Sequence, residues 1–207
     1  SMELEGANWS DDMEAEFKAR RGYEVSPYLP FFLHMTGKMG DPVSYDSPIE
    51  VTDSLSEILE RVRYDFETTK AELMCERFLD VYRTWADSLG IKARAQAYGR
   101  GFFPLESSMH VDIPEGESWT TNFLKHRPGE EMSEADYRRG RAYTMIDKYV
   151  SSAAHLNGVQ QISCEEMTNT AFVFNASMEN IKQMVDTNTV IGDPILTNAG
   201  TTIIPIS

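Results

Sequence analysis

Apolar side chains recur at helical spacing along the longest patterned stretch of the chain, which runs from Leu55 to Leu89. Most members of this stripe stand three or four residues apart, so one face of a helix would carry them: Leu55, Ile58, Leu59, Val62, Phe66, Leu73, Phe78, Val81, Trp85 and Leu89. The segment Ser54-Leu55-Ser56-Glu57 has the capping-box pattern of a helix start, and Gly90 supplies a stop signal. The pattern therefore predicts one long helix that ends at Gly90.

Shorter patterns predict further helices and strands on both sides of this helix. We expect a helix from Asn8 to Tyr23 that Ser10 caps and Gly22 closes. Another helix should begin at Ser133 and stop at Asn157-Gly158. Strand-like runs and one more helical run complete the pattern: strands at Lys92–Tyr98, Met109–Ile113, Gln160–Cys164 and Thr189–Leu196, and a helical run at about Met178–Val185.

Strands that alternate with helices favour an α/β fold built from parallel β/α units. We interpret residues 1–207 as a single domain, a partial (β/α)8 TIM barrel, because a complete barrel usually needs roughly 250 residues. The chain also opens on an acidic segment, Ser1–Glu5, of the kind that follows a barrel strand. A partial barrel exposes strand edges that another chain can cover, so we expect a homo-oligomer.

The charge balance excludes several classes of partner. The chain has 33 acidic and 19 basic side chains and a formal net charge of −14, which repels nucleic acid and anionic membrane surfaces. We recognise neither a membrane-spanning stretch nor a signal peptide in this sequence. Only Cys75 and Cys164 occur, so a disulfide framework or a thiolate metal site is not expected, and both thiols should be free and buried.

Two short acidic segments, 111–119 and 162–168, carry the candidate chemistry. Each places carboxylates where a strand-like run ends, which is where catalytic groups collect in α/β sheets and barrels. Paired carboxylates suit acid–base attack on a glycosidic bond. For Glu117 the alternative is an exposed loop carboxylate, and strand alternation should send Glu165 and Glu166 to opposite faces.

Several short motifs follow one another in a definite order along the chain. They are Glu3…Asn8-Trp9-Ser10, Phe17…Arg20-Arg21-Gly22-Tyr23…Pro27-Tyr28-Leu29-Pro30, Glu60-Arg61-Val62-Arg63-Tyr64-Asp65, Ala95-Gln96-Ala97-Tyr98-Gly99, Asp112-Ile113-Pro114-Glu115-Gly116-Glu117 and Ser152-Ala153-Ala154-His155-Leu156…Glu165. This order resembles glycoside hydrolase family 106, whose members are α-L-rhamnosidases with a (β/α)8 catalytic domain. The resemblance covers the chain up to about Val190.

The resemblance implies inverting hydrolysis of terminal α-L-rhamnose on glycans, with calcium assisting sugar binding. Matched motif by motif, the essential glutamates of the family fall on Glu3, Glu117 and Glu165. We prefer Glu3 and Glu165 as the acid–base pair and Glu117 as a binding or calcium-associated carboxylate, with no metal ligand set assigned. Full-length relatives in bacteria are expected in the periplasm or outside the cell.

Secondary contacts to the sugar are assigned to four further residues. Gln96, Tyr98 and His155 would hydrogen-bond sugar hydroxyls, and Trp119 would stack on a ring face, with Trp9 as an alternative. For His155 the competing interpretation is a histidine favoured by the dipole at a helix C-terminus.

The final segment, Thr197–Ser207, departs from the family pattern, which continues into an aromatic-rich loop. A frameshift is one hypothesis, because the codons of Gly200–Pro205 can encode aromatic residues in another frame. The leading interpretation is a fragment similar to the catalytic barrel of a family 106 α-L-rhamnosidase, and we expect it to be incomplete as an enzyme by itself. The alternatives are a non-catalytic carbohydrate-binding or interaction module and a barrel glycosidase of other specificity.

Overall fold

The computed structural model describes residues 9–31, 35–36, 44–45, 51–98, 103–119, 146–168, 178, 182, 196–198 and 201–203. The helices are α1 (Met13–Arg21), α2 (Asp53–Met74), α3 (Asp80–Ser88), α4 (Pro104–Ser108) and α5 (described over 146–156), with a 3-10 helix at Ser26–Phe31 and a π-helical turn at Cys75–Leu79. The strands are β1 (Met35–Thr36), β2 (Ser44–Tyr45), β3 (Arg94–Ala95), β4 (Ile113–Trp119), β5 (Ser163–Thr168), β6 (Leu196–Asn198) and β7 (Thr201–Ile203).

The main sheet has five strands in the order β3-β4-β5-β6-β7. The first four run parallel, and β7 returns antiparallel to β6. Parallel neighbours need a crossover connection, and the described part of α5 lies between β4 and β5 in the chain. The predicted α/β class with parallel strands is confirmed. The tail that departed from the family pattern supplies β7, which pairs Thr201 with Asn198.

Helix α1 is shorter than predicted because its first turn begins at Met13 rather than near Asn8. The Ser10 cap is wrong: the Ser10 hydroxyl donates to Asp12 Oδ1 at 3.0 Å, and no side chain caps the helix. The C-terminal stop is confirmed, since Gly22 adopts the left-handed conformation (φ 83°) and its N–H donates to Lys18 O.

The predicted long helix contains a π-helical turn, so its apolar stripe does not stay on one face. Thr52, rather than Ser54, caps α2 by accepting the N–H of Leu55 at 3.4 Å. The π turn inserts an extra residue, which advances the following side chains around the axis by roughly 100°. Beyond the π turn the stripe is exposed at Val81, Trp85 and Leu89, and Ile58 near its start is exposed as well.

Two clusters of buried apolar side chains among the described residues lie along the long helical segment. Helix α1 packs on α2 through a cluster of six buried residues, Met13, Phe17, Val25, Val62, Phe66 and Leu73. The π turn packs on the sheet, where Cys75 and Leu79 contact Ala95, Ala97 and Val111. Small alanines on this face of the sheet let the helix approach closely, and both cysteines are free and buried, as predicted.

The predicted strands all begin earlier in the chain than the observed strands. Residues 109–112 form a turn after α4, and β4 begins only at Ile113. Strand β5 likewise begins at Ser163 rather than Gln160. The predicted run Lys92–Tyr98 does contain β3. For β4 and β5 the pattern found mainly the residues before the strand, because these strands carry a polar face. The acidic segments therefore lie inside strands and not at their ends.

Other predictions fall largely outside the described residues. The helix expected from Ser133 is described only over 146–156, where it ends before Asn157-Gly158 as predicted. Met178 and Lys182 are helical, and Leu196 opens β6. No helix in the described ranges is long and apolar enough to cross a membrane.

Candidate functional site

One face of the sheet carries polar side chains contributed by three successive strands. Because side chains alternate between faces, residues two apart share a face, and directly paired residues on parallel strands share it as well. Glu115 is paired with Ser163, and Glu117 with Glu165. The side chains that meet here come from β3 and the residues after it, from β4 and from β5: Arg94, Gln96, Tyr98, Glu115, Glu117, Ser163 and Glu165.

The first layer of this polar face is a buried ion pair with a hydroxyl. Glu115 is only 2% exposed. Its Oε2 lies 3.1 Å from Arg94 Nε and accepts a 2.6 Å hydrogen bond from Ser163 Oγ. A buried carboxylate needs such partners, because an uncompensated charge would cost several kcal/mol. This layer therefore joins three neighbouring strands.

The second layer is a chain of hydrogen bonds that ends on Glu165. Tyr98 donates its hydroxyl proton to Gln96 Oε1 at 2.9 Å, and Gln96 Nε2 donates to Glu165 Oε2 at 2.9 Å. Gln96 and Tyr98 are both buried. Burial, reinforced by the negative charge of Glu117, raises the pKa of Tyr98 well above its usual value, so the phenol remains a proton donor.

Glu117 is held from the helical side by a residue that sequence reasoning missed. Asp147 in α5 is fully buried, and its Oδ1 accepts the backbone N–H of Glu117 at 3.0 Å. The same oxygen lies 3.8 Å from Cys164 Sγ, next to Glu165 in the chain. The sequence feature that could have revealed Asp147 is an acidic residue inside a predicted helix, between the apolar Ile146 and Val150.

The structure brings four predicted residues together and leaves one apart. Gln96, Tyr98, Glu117 and Glu165 share the polar face. His155 is exposed near the end of α5; two residues further on, the Asn157 amide donates to Met109 O, in the turn that precedes β4. His155 therefore lies toward the amino-terminal edge of the strands, which fits the alternative interpretation of a helix-terminal histidine.

The remaining candidates are only partly described. Glu3 lies outside the described residues. Trp119 is the last residue of β4 and is paired with Thr168, but its side chain and that of Glu166 lie outside the described part. Trp9 is exposed with its ring centroid 6.1 Å from that of Phe66. Within the described ranges, no three His, Cys, Asp or Glu side chains are grouped so that they could hold a metal ion.

Comparisons with known proteins identify one family and two similar proteins. The family model described as α-L-rhamnosidase, glycoside hydrolase family 106, matches residues 1–193. A protein of Formosa agariphila named "Putative beta-glucuronidase" is 27% identical over 168 residues, which are 81% of this chain and 12% of that protein. The solved structure of a rhamnosidase from Novosphingobium sp. PP1Y matches 99% of this chain and 17% of its own, with a TM-score of 0.61 and 21% identity. The chain thus spans less than a fifth of either protein.

Proposed function

Because the chain belongs to glycoside hydrolase family 106, the α-L-rhamnosidases, we propose that it forms part of a catalytic domain that hydrolyses terminal α-L-rhamnosides. The observation that carries this proposal is the pairing of Glu117 with Glu165 on neighbouring parallel strands, on a face that also bears Gln96 and Tyr98. Two carboxylates on neighbouring strands suit the binding and protonation of a sugar.

We further propose that the sheet is part of a (β/α)8 barrel whose interior is the polar face. In such a barrel, inward side chains alternate with side chains that face the surrounding helices. The described sheet has this division, since Ala95 and Ala97 contact the π turn while Arg94 and Gln96 contact glutamates. The likeness to the rhamnosidase structure supports the same arrangement.

The spacing of the strands supports a division of roles among the glutamates. Neighbouring strands lie about 4.8 Å apart, whereas the two carboxyl groups of an inverting glycosidase stand about 6.5–9.5 Å apart, with a water molecule between one of them and the sugar. Inversion therefore suits a partner for Glu165 other than the directly paired Glu117, and the family resemblance makes Glu3 the proposed partner. Because Glu165 accepts a hydrogen bond from Gln96, it suits the base, leaving the acid to Glu3 and sugar binding to Glu117.

The charge of the polar face favours a neutral sugar over a uronic acid. Among the described side chains of this face, Arg94 is the one cation, and it is paired with Glu115. The carboxylate of a glucuronide would meet the like charges of Glu117 and Glu165 on this face, and like charges repel. Rhamnose has hydroxyl donors and no charge, so it fits this face better than the substrate named for the Formosa agariphila relative.

Calcium has no complete site among the described side chains. Calcium takes six to eight oxygen ligands, and the described residues bring no group of three acidic or histidine side chains together for it. Any calcium ion that assists sugar binding would take ligands from beyond the described ranges. No step of the proposed mechanism depends on calcium.

Release of a chromophore from aryl glycosides tests the proposed function. We expect the catalytic domain that contains this chain to cleave an aryl α-L-rhamnoside and not an aryl β-glucuronide. Glu165→Gln should lower kcat by about 100-fold or more, the range for loss of a general acid or base, and Glu117→Gln should raise KM. Glu60→Gln is the matched control, because Glu60 is exposed on α2.

The outcomes separate the alternatives. Rhamnose binding by calorimetry without release would support a non-catalytic binding module, and cleavage of the glucuronide alone would overturn the assignment of substrate. Proton NMR of the first product gives the stereochemistry: a β-configured sugar indicates inversion, and an α-configured sugar would contradict the proposed roles. Light scattering tests the proposed homo-oligomer, which a monomer at micromolar concentration would contradict.

A further inference from the structure

We infer that Gln96 and Tyr98 are positioning residues that act on the reaction through Glu165, rather than residues that bind the sugar. This inference rests on the proposed glycosidase function. It concerns the chain of two 2.9 Å hydrogen bonds that leads from the Tyr98 hydroxyl through the Gln96 amide to Glu165 Oε2.

The buried phenol fixes the orientation of the Gln96 amide. A glutamine side chain can present either its oxygen or its NH2 group to a neighbour, and only its partners decide which. Tyr98 is 5% exposed and keeps its proton, so its hydroxyl donates to the amide oxygen. The NH2 group is thereby directed to Glu165, which it meets as a donor.

The amide in turn fixes the carboxylate. Gln96 is 2% exposed, so a sugar in the cleft has little access to its side chain. A donor held at one carboxylate oxygen restricts the rotation of the Glu165 side chain, which is flexible when it has no partner. A reacting group must stay close to its productive geometry, and a misplacement of about 1 Å can cost roughly 100-fold in rate.

The two roles predict different kinetics. If Gln96 binds sugar, Gln96→Met raises KM. If it positions Glu165, Gln96→Met and Tyr98→Phe lower kcat by about 10- to 100-fold and leave KM nearly unchanged. Gln160→Met and Tyr64→Phe are matched controls at exposed positions and should change neither constant.

A double-mutant cycle tests whether Gln96 acts through Glu165. In a Glu165→Gln background, Gln96→Met should have little further effect on kcat, because the group that it positions has been removed. Full additivity of the two substitutions, or a rise in KM for Gln96→Met alone, would overturn the inference.

A measurement on the resting protein separates failure of this inference from failure of the proposed function. The side-chain amide protons of Gln96, assigned by their loss in Gln96→Met, should exchange slowly with solvent in 15N-edited NMR spectra. Glu165→Met should speed up their exchange and shift their resonances, while Glu60→Met should not. If the Gln96 amide protons exchange slowly in the wild type and fast in Glu165→Met, the contact is supported even if no rhamnoside is cleaved. If Glu165→Met leaves the Gln96 resonances unchanged, the inference is refuted.

Discussion

Replacing Asp147 tests whether helix α5 holds strand β4 in place at the candidate site. Asp147 is fully buried and accepts the N–H of Glu117 at 3.0 Å. A hydrogen bond to a charged group contributes about 1.5–3 kcal/mol, and Asp147→Ala also leaves a small cavity, so we expect a loss of about 3 kcal/mol. For a chain of this length that corresponds to a fall in Tm of roughly 6–12 °C. Asp147→Asn keeps an acceptor oxygen and should lose about 1 kcal/mol or less.

Urea unfolding followed by circular dichroism measures these differences at constant pH. Asp87→Ala is the matched control, because Asp87 is exposed on α3, and it should change stability by less than about 0.5 kcal/mol. Amide exchange at Glu117 should accelerate in Asp147→Ala and stay slow in the control. A buried carboxylate can also cost as much desolvation energy as its bonds return. If Asp147→Ala matched the control or stabilised the chain, Asp147 would not be holding the strand.

Three further outcomes test other parts of the structure. Phe17→Ala should lower the free energy of unfolding by about 3–5 kcal/mol, because Phe17 is fully buried, whereas Trp85→Ala at an exposed position should cost about 1 kcal/mol or less; equal losses in urea unfolding would contradict the packing described. The hydrogen bond from Arg77 lowers the pKa of Asp12 to about 2, so this pair stabilises the fold above pH 4 and that contribution is lost as the pH falls from about 4 to 2. Arg77→Met should therefore flatten the dependence of Tm on pH in this window, and an unchanged profile would argue against the pair. Burial raises the pKa of the Cys75 thiol to about 11, so a thiol reagent at pH 8 should modify Cys75 only after unfolding, and fast reaction in the folded protein would show that it is accessible.

The sequence was informative where local chemistry decides the structure and misleading where tertiary contacts do. Gly22 and Gly90 were recognised as helix ends, and both adopt positive φ, which glycine tolerates best. The start of β4 was missed because Glu115 and Glu117 look like loop residues until partners from other strands are known. Asp147 was missed for the same reason, since its partner Glu117 is 30 residues away in the chain.

Side chains two residues apart on a strand share a face, so the acidic face of the sheet can carry both a stabilising ion pair and the proposed site. Glu115 lies in a layer whose charge is balanced by Arg94 and whose carboxylate also accepts the Ser163 hydroxyl. Two residues further along the strand, Glu117 stands beside Glu165, and the Gln96 amide is a neutral donor. Because carboxylates accept hydrogen bonds and sugar hydroxyls donate them, the carboxylates of the second layer suit the proposed neutral glycan, and the Glu115 carboxylate of the first layer suits an ion pair with Arg94. Glutamates two positions apart on one strand therefore have different surroundings, because each meets different residues of the neighbouring strands.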